Sequence, residues 1–160
     1  MARFSIPDQQ IDTIQQEKSI AQEEYARVRA QKHHIDTLLN DASLLISEKK
    51  YVLAQQKLET LLKKDPNHGS ALFYLAQIAS QTQKYDQALD FYTRASQSTK
   101  IPDWARAWSL LRSGRILAAG GNFSQATIKF REVLTIQGEL RGAKKQAQDS
   151  LKRLPDENNP

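Results

Sequence analysis

A repeat of 34 residues constrains this 160-residue chain more than any other feature of its sequence. A shift of 34 places residues of similar size and polarity opposite one another at seven positions: Leu38 with Leu72, Ala42 with Ala76, Leu45 with Ala79, Tyr51 with Tyr85, Ala54 with Ala88, Leu58 with Tyr92 and Leu61 with Ala95. A further shift of 38 extends the pattern to Leu110, Gly114, Leu117, Phe123, Ala126, Phe130 and Val133. The four extra residues fall in the turn KIPDW, where an insertion costs little free energy. The repetition predicts three like structural units that stack on one another.

Each unit is expected to consist of two helices joined by a short turn. No Gly or Pro occurs between Pro7 and Pro66, and Ala, Leu, Gln, Lys and Glu dominate the chain. Small residues are expected where the helices cross closely, namely Ala42, Ala76 and Gly114 on the first helices and Ala54, Ala88 and Ala126 on the second. The space between the helices is expected to be filled by Tyr51, Tyr85 and Phe123.

The first 34 residues lie outside the repeats and predict a helical extension. A seven-residue seam runs through Ile11, Ile14, Ala21, Tyr25, Val28 and Ile35, and Lys18 and Lys32 occupy two of its places. With no helix breaker before the first repeat, the extension is expected to continue into the first repeat helix over about 40 residues. Such a seam needs a cover: a second copy of the chain, another protein, or the first repeat itself. Of these we favour self-association.

The C-terminal residues predict a helix that closes the stack. Gly138 is expected to cap the preceding helix, and the segment ELRGAKKQAQDSLKRL places apolar residues along one side. A terminal helix with a polar outer face covers the last apolar surface of a repeat array, which accounts for its lysines. The alternative is that these lysines contact an anionic partner.

Composition excludes several classes of protein. The chain has no cysteine, so disulfides, thiol catalysis and thiolate metal sites are excluded. No stretch has the length and apolarity of a signal peptide or a membrane span, which predicts a cytoplasmic protein. The net charge is +5, of which residues 107–160 carry +4, and this is too diffuse for a polybasic arm.

Nothing in the sequence indicates catalysis, a metal or a cofactor. The adjacent His33 and His34 cannot face one side of a helix together, and His68 lies in a turn. No nucleophile elbow or phosphate-binding loop occurs, and Gly120 and Gly121 make the turn between two repeat helices. The chain is therefore expected not to be an enzyme.

The repeat positions resemble the tetratricopeptide repeat, whose consensus is W-x2-L-G-x2-Y, then A-x3-F and a final P in 34 residues. The likeness is strongest in YVLAQQKLETLLKKDP, YDQALDFYTRAS and FSQATIKFREVL, although Leu replaces the leading Trp. The resemblance implies an all-α solenoid of three helix-turn-helix units, with a long N-terminal helix and a C-terminal capping helix. The expected organisation is an extension at 1–34, a repeat domain at 35–154 with units near 35–68, 69–102 and 107–140 and a capping helix near 139–154, and a flexible tail at 155–160.

The resemblance also implies a concave groove lined by the first helices. Opposite the buried stripes, the expected peptide-binding residues are Asn40, Ser43, Phe73, Tyr74, Gln77, Trp108, Arg112 and Arg115. Aromatic side chains beside arginine are typical of binding hot spots. Some family members grip a C-terminal carboxylate with a two-carboxylate clamp, and of the matching positions here only Arg112 has a suitable residue.

The sequence therefore predicts a non-catalytic interaction module or scaffold that binds a peptide with hydrophobic and acidic residues. One alternative is a secretion or assembly chaperone, since translocator chaperones resemble this chain in length, three repeats and a dimerising N-terminal part. The other is a helical repeat that binds nucleic acid, which only the net charge favours.

Overall fold

The structure, a computed structural model, describes residues 7–155 apart from the side chain of Asp8. The tail expected at 155–160 lies outside the described residues except for Pro155, as do the first six residues of the N-terminal extension. The described part contains seven helices and no strand: α1 Asp8–Ser47, α2 Tyr51–Lys64, α3 Gly69–Gln81, α4 Tyr85–Gln97, α5 Asp103–Ala119, α6 Phe123–Thr135 and α7 Ala143–Arg153.

The all-α repeat architecture predicted from the sequence is confirmed. Three helix-turn-helix units follow one another, formed by the end of α1 with α2, by α3 with α4, and by α5 with α6, and α7 closes the series. From α2 onward each helix contacts the next one, and α7 also contacts α5. Two clusters of buried apolar residues form the core, one around α3 and α4 and the other around α5, α6 and α7.

The chain divides into two compact units, with the boundary between Thr37 and Leu38 inside α1. The helix predicted to span about 40 residues from the extension into the first repeat is confirmed, since α1 is 40 residues long. In the compact unit that ends at Thr37, the seam residues Ile11, Ile14, Tyr25 and Val28 are all exposed.

Small residues lie at the close helix crossings, as predicted. The alanines at 42, 54, 76, 88 and 126 are fully buried. At Gly114 a Cβ atom would lie 2.5 Å from Cε1 of Phe130, a distance that real Cβ atoms do not reach. The backbones of α5 and α6 can therefore approach closely only because residue 114 has no side chain.

The prediction that Tyr51, Tyr85 and Phe123 fill the space between the helices is wrong. Tyr85 is 52% exposed and Phe123 is 36% exposed, and Tyr51 is only partly buried. The fully buried rings are Tyr92 and Phe130, which lie two helical turns further along α4 and α6. The first residue of a second helix lies beside the turn at the rim of its unit, whereas a residue two turns later has neighbours on both sides.

Helix boundaries near the C-terminus differ from the predicted ones. The four extra residues of the third unit do not lengthen the turn, because α5 begins at Asp103 and has 17 residues against 13 in α3. Helix α6 ends at Thr135, so Gly138 does not cap it, although Gly138 does adopt a left-handed φ of 90°. The closing helix begins at Ala143 rather than near residue 139, after the left-handed Gly142. Three positive-φ residues between 138 and 142 are incompatible with helix, and this delays its start.

Candidate binding surface

The first helices of the three units hold the eight residues predicted to bind a peptide. Near the end of α1, Asn40 is exposed and Ser43 is partly buried. On α3, Tyr74 and Gln77 are partly buried. On α5, Trp108 and Arg112 are partly buried and Arg115 is exposed. The guanidinium of Arg112 lies over the Trp108 ring, and its positive charge acts on Arg115.

Phe73 is the exception, because the structure places it in the core. Its side chain is only 3% exposed, and its ring meets the edges of Tyr74, Tyr92 and Trp104 at centroid distances of 5.6, 6.1 and 5.7 Å. An edge-to-face arrangement of this kind stabilises a core. The expectation that Phe73 lines an open groove is therefore wrong.

Trp104 is an aromatic residue of this region that sequence reasoning missed. It lies in the first turn of α5, packs on Phe73 and carries the guanidinium of Arg141 at 3.8 Å from its ring centroid. Cation–π contacts this short are stabilising. The residue was overlooked because the sequence assigned KIPDW to a turn. The presence of a second tryptophan four residues before Trp108, on the same helix face, was the available signal.

Arg112 is held partly inside the protein. Its guanidinium carbon lies 5.5 Å from the centroid of the Trp108 ring, and its Nε atom is buried with no hydrogen-bond partner among the described residues. Burial raises the pKa of the nearby Tyr92 hydroxyl to about 12, and the positive charge of Arg112 acts in the opposite direction. Arg112 is therefore partly removed from solvent, with its guanidinium against the Trp108 ring.

Arg115 stands one turn further along α5 and is oriented by the closing helix. Its Nη2 atom donates a hydrogen bond of 2.8 Å to Oε1 of Gln146 on α7. The pKa of Arg115 is lowered by partial burial, and further by the positive charges of Arg112 and Arg153. Among the described side chains, no carboxylate lies within ion-pair distance of Arg112, Arg115 or Arg153.

Arg112 and Arg115 line one cavity between α4 and α5 with a volume of about 600 Å³. Its other walls come from the end of α3, the start of α4 and the end of α5 with the residue that follows it: Ser80, Tyr85, Asp86, Ile116, Ala119 and Gly120. We call it the α4–α5 cavity. It combines two guanidinium groups with an exposed tyrosine ring and aliphatic side chains, which suits a ligand with both acidic and apolar groups. Tyr85 is a second residue that the sequence failed to assign to this surface.

His68 has a structural role at the start of α3. His68 caps the N-terminus of α3, where its Nδ1 atom accepts a hydrogen bond of 3.4 Å from the backbone N–H of Ala71.

No group of three His, Asp or Glu residues in the described part of the chain could hold a metal ion. No described helix is long and apolar enough to cross a membrane.

Comparison with known protein families gives a match to the middle of the chain. Residues 45–114 match the family model of the tetratricopeptide repeat. This range begins near the end of α1 and reaches Gly114 on α5, so it covers the helices that carry most of the expected binding residues. No curated protein matches the sequence at a significant level.

Proposed function

We propose that this protein binds a peptide segment of a partner protein on the face formed by its first helices, because residues 45–114 match the family model of the tetratricopeptide repeat and such repeats are in general modules for protein–protein interaction. The binding is non-catalytic and takes place in the cytoplasm. The observation that carries the proposal is the pair Arg112 and Arg115, which line one cavity beside the ring of Tyr85 and form no ion pair among the described residues.

The chemistry of this surface specifies the ligand class. A guanidinium donates parallel hydrogen bonds to a carboxylate, and the rings of Tyr74 and Trp108 offer apolar area that is already partly fixed by packing. The partner segment therefore carries at least one acidic and one hydrophobic residue. We expect Asn40, Ser43 and Gln77, which lie on the first helices of the first two repeats, to add neutral polar groups to this surface. We expect micromolar affinity, which corresponds to about 8 kcal/mol.

Charge reversal at the two arginines tests this proposal. Arg112→Glu with Arg115→Glu replaces attraction for an acidic segment by repulsion, so the variant should no longer capture from a lysate the partner that the wild type captures. Lys63→Glu with Arg131→Glu changes the net charge equally at exposed positions outside the cavity and should capture normally. Circular dichroism should show the same helix content in all three proteins. Unchanged capture by the double arginine variant would refute the assignment.

Self-association through α1 is a second proposal, and it rests on a separate observation. The apolar seam of α1 is exposed along the first unit, with Tyr25 and Val28 more than half exposed. A helix gains most of its stability in a protein by burying an apolar face, which this seam would do against a second copy of itself.

A further inference from the structure

A second cavity lies one repeat further along the chain than the α4–α5 cavity. It has a volume of about 550 Å³ and is lined by Arg115, Ala118, Phe123, Phe130, Ser150, Arg153, Leu154 and Pro155. We call it the α6–α7 cavity. Ala118 and Phe123 occupy the places that Ser80 and Tyr85 occupy in the α4–α5 cavity, displaced by the same 38 residues that relate the two repeats.

The two cavities share a chemical design as well as a position. Each has an exposed aromatic ring from the start of a second helix, Tyr85 in one and Phe123 in the other. Each also has an arginine from the helix that follows, Arg112 on α5 and Arg153 on α7. Asp86 is an acidic residue in the wall of the α4–α5 cavity, whereas the described walls of the α6–α7 cavity contain no acid.

Arg115 lines both cavities and thus connects them. Partial burial lowers the pKa of Arg115, and the positive charges of Arg112 on one side and Arg153 on the other lower it further. None of the three is paired with a carboxylate in residues 7–155. Like charges held together in this way favour a ligand that carries more than one negative charge.

We propose that the two cavities form one bipartite site for an acidic segment of a partner protein. One carboxylate binds between Arg112 and Arg115, and a second binds between Arg115 and Arg153. An apolar side chain beside each acid packs on the ring of Tyr85 or Phe123. This proposal rests on the proposed function and deepens it, because it adds Arg153 and Phe123 to the surface and fixes the spacing of the acids.

The expected spacing follows from helix geometry. Adjacent packed helices lie about 8–10 Å apart, and a polyproline II segment advances about 3.1 Å per residue with three residues per turn. Residues i and i+3 of such a segment point to the same side about 9 Å apart, so we expect these two positions to supply the carboxylates. The aromatic rings and aliphatic walls suit amino-acid side chains, and three arginines are few for tracking a nucleic-acid backbone.

A set of synthetic peptides tests this spacing directly. Each fluorescein-labelled ten-residue peptide contains two Glu residues separated by zero to six positions, with a Leu after each Glu in a Gly and Ser background. A further peptide has a single Glu. Fluorescence anisotropy with the full chain should give the tightest binding for the i, i+3 peptide, about tenfold tighter than for the single-Glu peptide.

Arg153→Gln should weaken binding of the i, i+3 peptide to the level of the single-Glu peptide. Lys152→Gln, which removes the adjacent exposed cation outside the cavity wall, should leave it unchanged. Circular dichroism checks that both variants keep their helices.

Three results would overturn the bipartite site. Equal affinity at every spacing, or wild-type binding by Arg153→Gln, would refute it while leaving the proposed function intact, provided that Arg112→Gln with Arg115→Gln still loses the peptides. Failure of every peptide to bind, together with salt-sensitive binding of a labelled oligo-dT, would refute both proposals in favour of nucleic acid.

Discussion

Single atoms decide how closely the helices of the third unit pack. Gly114 on α5 faces the ring of Phe130 on α6, and Phe130 is fully buried. The equivalent residues of the other two units, Ala42 and Ala76, are fully buried with their methyl groups in place. The requirement for glycine at residue 114 therefore comes from the position of the Phe130 ring and not from the repeat pattern.

We predict that Gly114→Ala destabilises the protein by about 1–3 kcal/mol, because the new methyl group overlaps the Phe130 ring. This loss exceeds the gain of about 1 kcal/mol that alanine brings to a helix interior. Urea denaturation followed by circular dichroism measures the difference. Gly120→Ala is the matched control, since its Cβ atom meets only backbone oxygens at 3.5 and 3.6 Å. A Gly114→Ala variant as stable as Gly120→Ala would contradict the packing described here.

Phe73 and Trp108 show the limit of sequence reasoning about individual residues. Both are large aromatic residues on the first helices, and neither is required by the repeat pattern. Phe73 is covered because Trp104, from the next unit, packs on it, whereas Trp108 remains partly open under Arg112. The difference comes from α5 having begun earlier than expected, which no pattern within α3 could indicate.

Among the elements, α1 differs from the other helices in how it is stabilised. Its last turns pack on α2, where Nζ of Lys57 donates a hydrogen bond of 2.9 Å to Asp41. From Gln9 to Thr37 its side chains are exposed, apart from a partly buried Ile35. The 3.6-residue period and the absence of breakers predicted the helix, but they do not reveal what covers the seam.

Two substitutions at positions of similar exposure test self-association through the seam. Val28 lies on the seam and is 61% exposed, whereas Ile20 lies off the seam and is 58% exposed. Val28→Lys should weaken the dimer at least tenfold, because it replaces an apolar contact of about 1.5–3 kcal/mol by a charge. Ile20→Lys should leave it unchanged.

Sedimentation equilibrium measures this difference. The wild type should approach the mass of two 18.2 kDa chains as its concentration rises. A wild type that stays at the mass of one chain at every concentration, or equal weakening by both variants, would show that the seam does not mediate pairing.

Across the repeat array, successive units are joined through their turns as well as their helices. The hydroxyl of Ser98 donates a hydrogen bond of 2.6 Å to the carbonyl oxygen of Asn67, and Nζ of Lys100 contacts Asp65 at 2.7 Å. A Cβ atom on Gly69 would collide with Ser98 and Ile101, so the turn after α4 lies directly against the start of α3. These contacts fix the register between the first two units.

The Asp65–Lys100 pair makes this junction sensitive to acid. The hydrogen bond from Lys100 lowers the pKa of Asp65 below 3.8, and the positive charges of Lys100 and His68 act in the same direction. A carboxylate with a lowered pKa in the folded state contributes stability above its unfolded pKa of about 3.9 and loses it as the pH falls through the folded value. The effect is small because the pair is largely exposed.

Lys100→Gln should raise the pKa of Asp65 toward 3.8, as followed by the carboxyl resonance in an NMR titration. Lys84→Gln, at an exposed position away from this turn, should not change it. An Asp65 pKa that is the same with and without Lys100 would mean that the contact does not persist in solution.

The sequence alone determined the number of units, the helical character of the chain, the small residues at the crossings and the arginine pair on α5. These features follow from residue types and spacing within one unit. The helices and the small residues at their crossings are also repeated in all three units. Only the tertiary structure decided which aromatic residues are open, where α7 begins, and that Tyr85 shares a cavity with Arg112 and Phe123 with Arg153. Both cavities are built from residues of two successive units, so their walls depend on how one unit packs against the next, which no spacing inside a single repeat records.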